Sequence, residues 1–371
     1  MRLIDRLVVK EVFGPWLFGV GLFASLLMAA TYLGRIAGFI VDGVPVGTVL
    51  QMVGLLMPAI LAKTFTMAML LATLLSFGRL SADSEIVAMR AGGAGIFRIV
   101  LPVMGFSLAI AGLTFAFNEA VVPEASKRSR LLTEEIARAL RPNAALPVSR
   151  TEVQNYKLRA FINAENVNPA SQVLQGVTVV AYDEQGQRSL IMLAKELEYK
   201  GPDDWRIRGG ATLLPVEDGF TNVVTVEGEL WPRSMPKLAS TFREVASSGP
   251  PDFDSLTMAE LRQTIERAKA KGTMTREQIA NHEYGFWNKI AMPLAAFVFG
   301  TLGAVLGIRN HRTGTATGFA IAVAIIFGYV TLANFMNVWA MGGVIPPYAA
   351  SFAPLALGLA VAAIIMWRRN A

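Results

Sequence analysis

Hydrophobic and polar residues along this chain segregate into long blocks. No charge occurs between Glu11 and Arg35, none between Arg98 and Glu119, and none from Thr313 to Trp367. About 20 predominantly apolar residues carry an α-helix across a hydrocarbon core, and the last block is long enough for two crossings. The pattern predicts six membrane-spanning helices, at roughly 14–41, 49–77, 98–121, 287–308, 314–338 and 348–367. The first block follows basic Arg2, Arg6 and Lys10, as in a signal peptide. It is too long for one and no small-residue cleavage site follows at the right distance, so a retained helix is expected.

Basic residues order these helices across the membrane. One set of ends carries Arg2, Arg6 and Lys10, then Arg79, Arg90 and Arg98, then Arg309 and Arg312, then Arg368 and Arg369. The short loops 42–48 and 339–347 hold no Lys or Arg. Positive charge marks the cytoplasmic side, so both termini are expected in the cytoplasm. The segment 122–286 follows an odd number of crossings and is expected outside.

That middle segment changes character. Residues 124–141 read as a polar helix ended by Pro142. Short alternating runs follow. Gly176–Tyr182 places Val177, Val179 and Ala181 on one face, and Asp183–Gly186 reads as a turn. Ser189–Lys195, Leu197–Tyr199, Trp205–Ile207, Val223–Val226 and Glu229–Trp231 continue the series, with turns at Gly201–Asp203 and Gly209–Gly210. Short strands spaced by turn signals predict a sandwich or jelly roll, whose apolar inner face is either a packed core or a lipid-holding groove. Residues 255–272 read as a helix, with Thr257 and Glu260 at capping-box spacing and Gly272 as its terminator.

Composition narrows the chemistry. Charged residues make up 17% of the 371 residues, against about 25% in soluble chains. With no cysteine, disulfides and thiol chemistry are excluded. The two histidines, His282 and His311, stand far apart and offer no metal-ligand spacing. Walker A, G-x-S-x-G and H-E-x-x-H motifs are missing, and the spans lack the paired carboxylates of a proton relay. The net charge of +6 reads as a topology signal, and no nucleic-acid partner is expected.

Two cations sit within the apolar blocks. Lys63 falls about 22 Å above the cytoplasmic end of the second span, and Arg35 stands at a similar or greater height on the first. Each either snorkels to the interface or forms part of a cationic rim for an anionic headgroup. The loop between spans two and three reads Gly78-Arg79-Leu80-Ser81-Ala82-Asp83-Ser84-Glu85-Ile86-Val87-Ala88-Met89-Arg90-Ala91-Gly92-Gly93. Ser81 or Asp83 can cap a short helix there, and the glycines can end it. Leu80, Ile86, Val87 and Met89 give it more apolar surface than a solvated linker needs. It either fills the groove of a partner protein or lies in the headgroups.

The motif Gly78-Arg79-Leu80-Ser81-x-Asp83-x-Glu85-x-x-Ala88-x-Arg90-Ala91-x-Gly93 resembles the coupling-helix signature of the LptF/LptG lipopolysaccharide-export permeases. Further blocks agree in order: Asn118-Glu119-x-x-Val122-Pro123, Trp287–Ala295, Gly303-Ala304-x-x-Gly307-Ile308, Arg312-Thr313-Gly314, Gly318-Phe319 and Gly343-x-Ile345-Pro346-Pro347. The resemblance covers essentially the whole chain and is weakest in the strand-rich part.

It implies an α-helical membrane protein with an inserted all-β domain, three helices on either side of a periplasmic jelly roll. The expected divisions are 1–122 with a cytoplasmic coupling helix about 79–92, 123–286 for the jelly-roll-like domain with flanking helices, and 287–371. The family resemblance further implies a bacterial inner-membrane location and a permease of an ABC-type exporter. Such a permease pairs with a second permease, a cytoplasmic ATPase dimer and a periplasmic bridge protein. The permease would take lipopolysaccharide or a related glycolipid from the outer leaflet of the inner membrane. Arg79, Asp83, Glu85 and Arg90 would contact the ATPase, and Arg35 and Lys63 the headgroup. ATP and its magnesium would belong to the ATPase, with no cofactor or metal in this chain and no catalytic residue. The alternatives are a mechanotransmitting or lipoprotein-release subunit, which has fewer spans, and a structural membrane adaptor.

Overall fold

A computed structural model describes residues 3–140, 148–168, 171–201, 204–216, 224–226, 231–238, 253–308 and 315–370. The expected helix stop at Pro142, the basic pair Arg309 and Arg312, and the strand start at Glu229 lie outside these residues. The chain divides into two compact units. The membrane unit comprises Met1–Leu132, Phe253–Arg262 and Ala280–Ala371, and the β unit comprises Thr133–Asp252 and Gln263–Ile279.

The membrane unit begins with α1 (Leu3–Val41), α2 (Val46–Ala82), α3 (Glu85–Ala91) and α4 (Ile96–Ala120). α5 (Val122–Leu140) continues α4 after a break at Val121. α6 (Met258–Lys271) begins in the membrane unit and passes into the β unit at Gln263, α7 (Arg276–Gly307) returns from it at Ala280, and α8 (Thr315–Met341) and α9 (Pro347–Asn370) complete the membrane unit. Of these, α1, α2, α4, α7, α8 and α9 are long and apolar enough to cross a membrane. Several run past the expected bounds, most of all α1 and α7. An α-helix satisfies its own backbone groups, so it continues beyond the hydrocarbon into polar sequence at little cost.

α2 is the spine of this unit. Against α1 it packs Ala68 beside Gly19, where an added Cβ would lie 3.2 Å away. Trp16 donates its indole N–H to the Phe65 carbonyl at 3.2 Å, and the Ser76 hydroxyl donates to the Glu11 carbonyl at 2.8 Å. Ion pairs Arg98–Asp5, at 2.8 Å, and Arg79–Glu11 bring the N-terminal ends of α1 and α4 together with the C-terminal end of α2. These are the ends the basic residues assigned to one membrane face.

The opposite flank of α2 meets α7 through small residues. A Cβ on Gly303 would strike the Thr73 hydroxyl, with the Leu70 carbonyl 2.9 Å away. One on Gly307 would lie 2.7 Å from the Phe77 Cβ, and one on Gly300 would strike Ser107 of α4. Membrane helices gain little from excluding lipid, so close backbone approach supplies the dispersion contact that joins them. This packing accounts for the Gly303-x-x-x-Gly307 block of the sequence.

In the β unit, β1 (Val148–Gln154), β2 (Lys157–Asn168), β3 (Val173–Tyr182), β4 (Arg188–Gly201), β5 (Asp204–Pro215) and β6 (Val224–Val226) form one antiparallel sheet in chain order. Ala160, Ile162 and Ala164 of β2, Val177, Val179 and Ala181 of β3, and Met192 of β4 bury one face, with Trp205 and Ile207 of β5. The alternation read for β3 is therefore observed. The runs 189–195 and 197–199 merge into one strand. Gly209 and Gly210 lie inside β5, where both adopt positive φ opposite a register shift between Ala194 and Glu196. They mark a bulge, which needs such residues, rather than a strand end.

Sequence reading passed over β1 and β2. Their turn, Asn155–Tyr156, has both residues at positive φ, the conformation a two-residue hairpin of matching twist requires. The expected turn at Asp183–Gly186 is formed: the Asp183 carboxylate accepts the Gln185 and Gln187 N–H groups at 2.9 and 2.8 Å.

Candidate functional site

The loop between α2 and α4 is built around one anchored side chain. α2 stays helical to Ala82 because Phe77 and Leu80 are buried in the membrane-unit core. Only Asp83 and Ser84 separate it from α3, so the chain turns with Ser84 in the left-handed region, φ 62°. α3 thus spans 85–91, shorter than the expected 79–92. Its N-cap is Ser84, which makes no side-chain capping bond, in place of the expected Ser81 or Asp83.

Ile86 of α3 is buried in the core with Leu80 and Ile96, and Met89 packs against the same cluster. Glu85, Val87 and Arg90 face outward. Glu85 in the first turn and Arg90 in the last each oppose the partial charge of their helix end. The C-terminus closes with Gly93 at φ +86°, its N–H donating to the Arg90 carbonyl at 2.9 Å and the Ala94 N–H to the Met89 carbonyl at 3.1 Å. This double bond pattern is a Schellman closure, which places a glycine at the left-handed position. All four expected coupling residues, Arg79, Asp83, Glu85 and Arg90, are exposed. Arg79 sits one helix earlier, paired to Glu11.

The two membrane cations are staggered. The α1–α2 register set by Glu11–Ser76 and Gly19–Ala68, carried at 1.5 Å per residue, puts Lys63 about 20 Å and Arg35 about 36 Å above that first contact. Arg35 therefore stands about 16 Å farther along the hairpin than Lys63. Arg35 is exposed. Lys63 extends to the 3₁₀ turn Phe253–Ser255, where its Nζ meets Asp254 Oδ2 at 2.8 Å. Its snorkelling thus ends on a carboxylate 191 residues away in sequence.

That returning segment is fastened by Glu119 and Lys127 together with a capping box. Glu119, at the end of α4, accepts the Met258 N–H with both oxygens at 3.0 and 3.1 Å. Glu260 accepts the Thr257 N–H at 2.8 Å and the Lys127 ammonium at 2.7 Å, and Thr257 Oγ1 accepts the Glu260 N–H at 3.2 Å. The predicted capping box is therefore formed. The Lys127 hydrogen bond, then the Thr257 N–H, holds the Glu260 carboxyl down at about 2. Phe253 stacks edge-on against the buried His282 with centroids 5.3 Å apart. A second capping box, Thr275 with Gln278, opens α7 at 3.0 and 3.1 Å. Its Thr-x-x-Gln spacing was visible in the sequence.

Among the described residues no group of three or more His, Asp or Glu side chains is placed to hold a metal ion. Fold and site define a multi-pass membrane subunit with an inserted β-domain, a short exposed helix on one loop and polar latches at its membrane levels. The family model described as "Lipopolysaccharide export system permease LptF/LptG" matches residues 6–368, and the chain belongs to that family.

Among its relatives is the lipopolysaccharide export system permease protein LptG of Haemophilus influenzae, 26% identical over 86% of this chain and 88% of that protein. The LptG protein of Escherichia coli K12 is 27% identical over 72% of this chain and 73% of its own length. As a family member the chain is a non-catalytic permease subunit of lipopolysaccharide export. It is a multi-pass inner-membrane protein with a periplasmic β-domain.

Proposed function

We propose that this permease extracts a glycolipid from the outer leaflet of the inner membrane and passes it through a jelly-roll-like β-domain to a periplasmic bridge protein. The work comes from a cytoplasmic ATPase dimer that binds ATP and magnesium and docks on α3. The observation that carries this reading is α3 itself, seated through Ile86 while Glu85, Val87 and Arg90 face outward. A solvated linker needs no such anchor. Glu85, Asp83 and Arg90 make the contact to the ATPase, and Arg79, tied to Glu11, fixes the end of α2 behind them.

Energetics support a division of labour. Each buried methylene is worth about 0.8 kcal/mol, so an acylated lipid leaves the membrane only under external work. Lys63 and Arg35, at two heights on the α1–α2 hairpin, are the proposed contacts of an anionic headgroup. α8 supports the pairing with a second permease, because only 6% of its most apolar window is buried within this chain. Phe327, Phe335 and Val338 project from it. In functional terms the chain divides at 1–122, 123–286 and 287–371, with the sheet lining the outward route.

The test is Glu85→Lys. Reversing this charge is expected to abolish co-purification of the ATPase and ATP-dependent lipid release, with the protein still folded and inserted. A fully active Glu85→Lys protein removes α3 as the coupling site. Detergent pull-down with mass spectrometry of proteins and lipids identifies the partners directly.

A further inference from the structure

The Lys63–Asp254 pair carries a consequence for what the site selects. Both side chains are 43% exposed, so the pair is half open to an incoming group. Asp254 is not drawn to Lys63 by a floppy tether. On one side of it Phe253 is held by His282, and a Cβ on Gly285 would lie 3.0 Å from its ring. On the other side the Met258 N–H is bound by Glu119, and Glu260 is locked by Thr257 and Lys127. These contacts stand independently of Lys63. They present the Asp254 carboxylate at 2.8 Å from the ammonium as a fixed internal anion.

Resting on the reading of Lys63 as a headgroup contact, we propose that Asp254 is an occupancy-setting competitor, a built-in carboxylate that an incoming headgroup displaces from Lys63. A phosphomonoester carries about −1.5 to −2 charge near neutral pH and three acceptor oxygens. It outcompetes a single carboxylate for the ammonium. A phosphodiester such as phosphatidylglycerol carries one negative charge and holds no such advantage, and a zwitterionic lipid has less still. Displacing Asp254 costs every anion the same factor, so an abundant phospholipid that binds Lys63 weakly falls to low occupancy while a phosphomonoester glycolipid stays bound. The apparent affinity of any anion is reduced by the fraction of Lys63 already occupied.

The full chain, purified with its co-purifying subunits into phosphatidylcholine nanodiscs, tests this. The probes are fluorescent bis-phosphorylated lipid A, its dephosphorylated form, and phosphatidylglycerol. Asp254→Asn is expected to tighten phosphatidylglycerol and the phosphorylated probe alike, each about threefold, the scale of losing one half-exposed pair, and so to raise the occupancy of the site by phosphatidylglycerol. Dephosphorylated lipid should bind unchanged, Asp254→Glu should retain the wild-type affinities, and Asp254→Asn should have no effect in a Lys63→Ala background.

A gain that is equal for the dephosphorylated probe overturns the proposal, since it reports general loosening. So does an Asp254→Asn protein that keeps wild-type affinities and a wild-type melting profile. If Lys63→Ala weakens lipid A binding while Asp254→Asn is silent, only the competition falls. If Lys63→Ala leaves lipid A binding intact, the headgroup reading falls with it.

Discussion

Replacing Gly303 by alanine tests whether α2 and α7 are joined by backbone approach. The new Cβ would fall on the Thr73 hydroxyl and 2.9 Å from the Leu70 carbonyl. Thr73 is fully buried and its hydroxyl already donates to the Met69 carbonyl at 2.8 Å, and the Leu70 carbonyl is backbone. Neither yields freely, so α7 must move outward. Overpacking of this kind costs about 1–3 kcal/mol, against about 0.8–1 kcal/mol gained from alanine's helix propensity. A clash with backbone belongs at the upper end, which leaves a net loss of about 1–2 kcal/mol.

Gly112 of α4 is the control. Nothing lies within 4 Å of its added Cβ, so Gly112→Ala should gain about 0.5–1 kcal/mol. The same chemical change therefore acts with opposite sign at two positions. The assay is the midpoint of detergent-induced unfolding, followed by circular dichroism in one mixed-micelle series. Adding Thr73→Ala to Gly303→Ala should recover part of the loss, because the Leu70 carbonyl remains. An unchanged midpoint for Gly303→Ala, or an equal loss for Gly112→Ala, refutes the reasoning.

Two further outcomes are expected. Ile86→Ala removes the anchor of α3 at a cost of about 2–5 kcal/mol, more than a two-turn helix recovers alone. Amide exchange over Glu85–Ala91 should rise sharply and ATPase co-purification should fall, while Val87→Ala keeps wild-type protection. The Glu260 carboxyl is held below its ordinary value of 4.5, at about 2. Its contribution is therefore fully present above about pH 4.5 and is lost as the pH falls towards 2. Protection of the first-turn amides of α6, referred to the unfolded-chain rate at each pH, should decline across that window. Lys127→Met should move the decline upward, with screening by solvent keeping the effect modest.

The two capping boxes, Thr257–Glu260 and Thr275–Gln278, carry the same sequence signature, and both are formed. Such local devices are legible because donor and acceptor lie three residues apart. β1 and β2 were harder to see. The buried face of β2 uses Ala160 and Ala164 about Ile162, and alternating alanines give little hydrophobic contrast. Their Asn155–Tyr156 turn also lacks the glycine that usually announces a hairpin.

What the sequence by itself determined is the membrane layout. Lipid leaves no partner for an open backbone, so every crossing must be a long apolar helix, and cytoplasmic ends keep their arginines. The outward-facing charges of the α2–α4 loop were equally readable, although the helix there proved shorter. Tertiary structure alone decided which charges meet. Lys63 and Asp254 are separated by 191 residues, and Glu119 reaches Met258 across 139. No periodicity connects such positions. Their pairing follows from where the returning segment seats between α2, α4 and α7, which depends on shapes such as Phe253 over Gly285. The opening pattern of apolar blocks thus fixed where the chain crosses the membrane, while packing fixed the anion that faces Lys63.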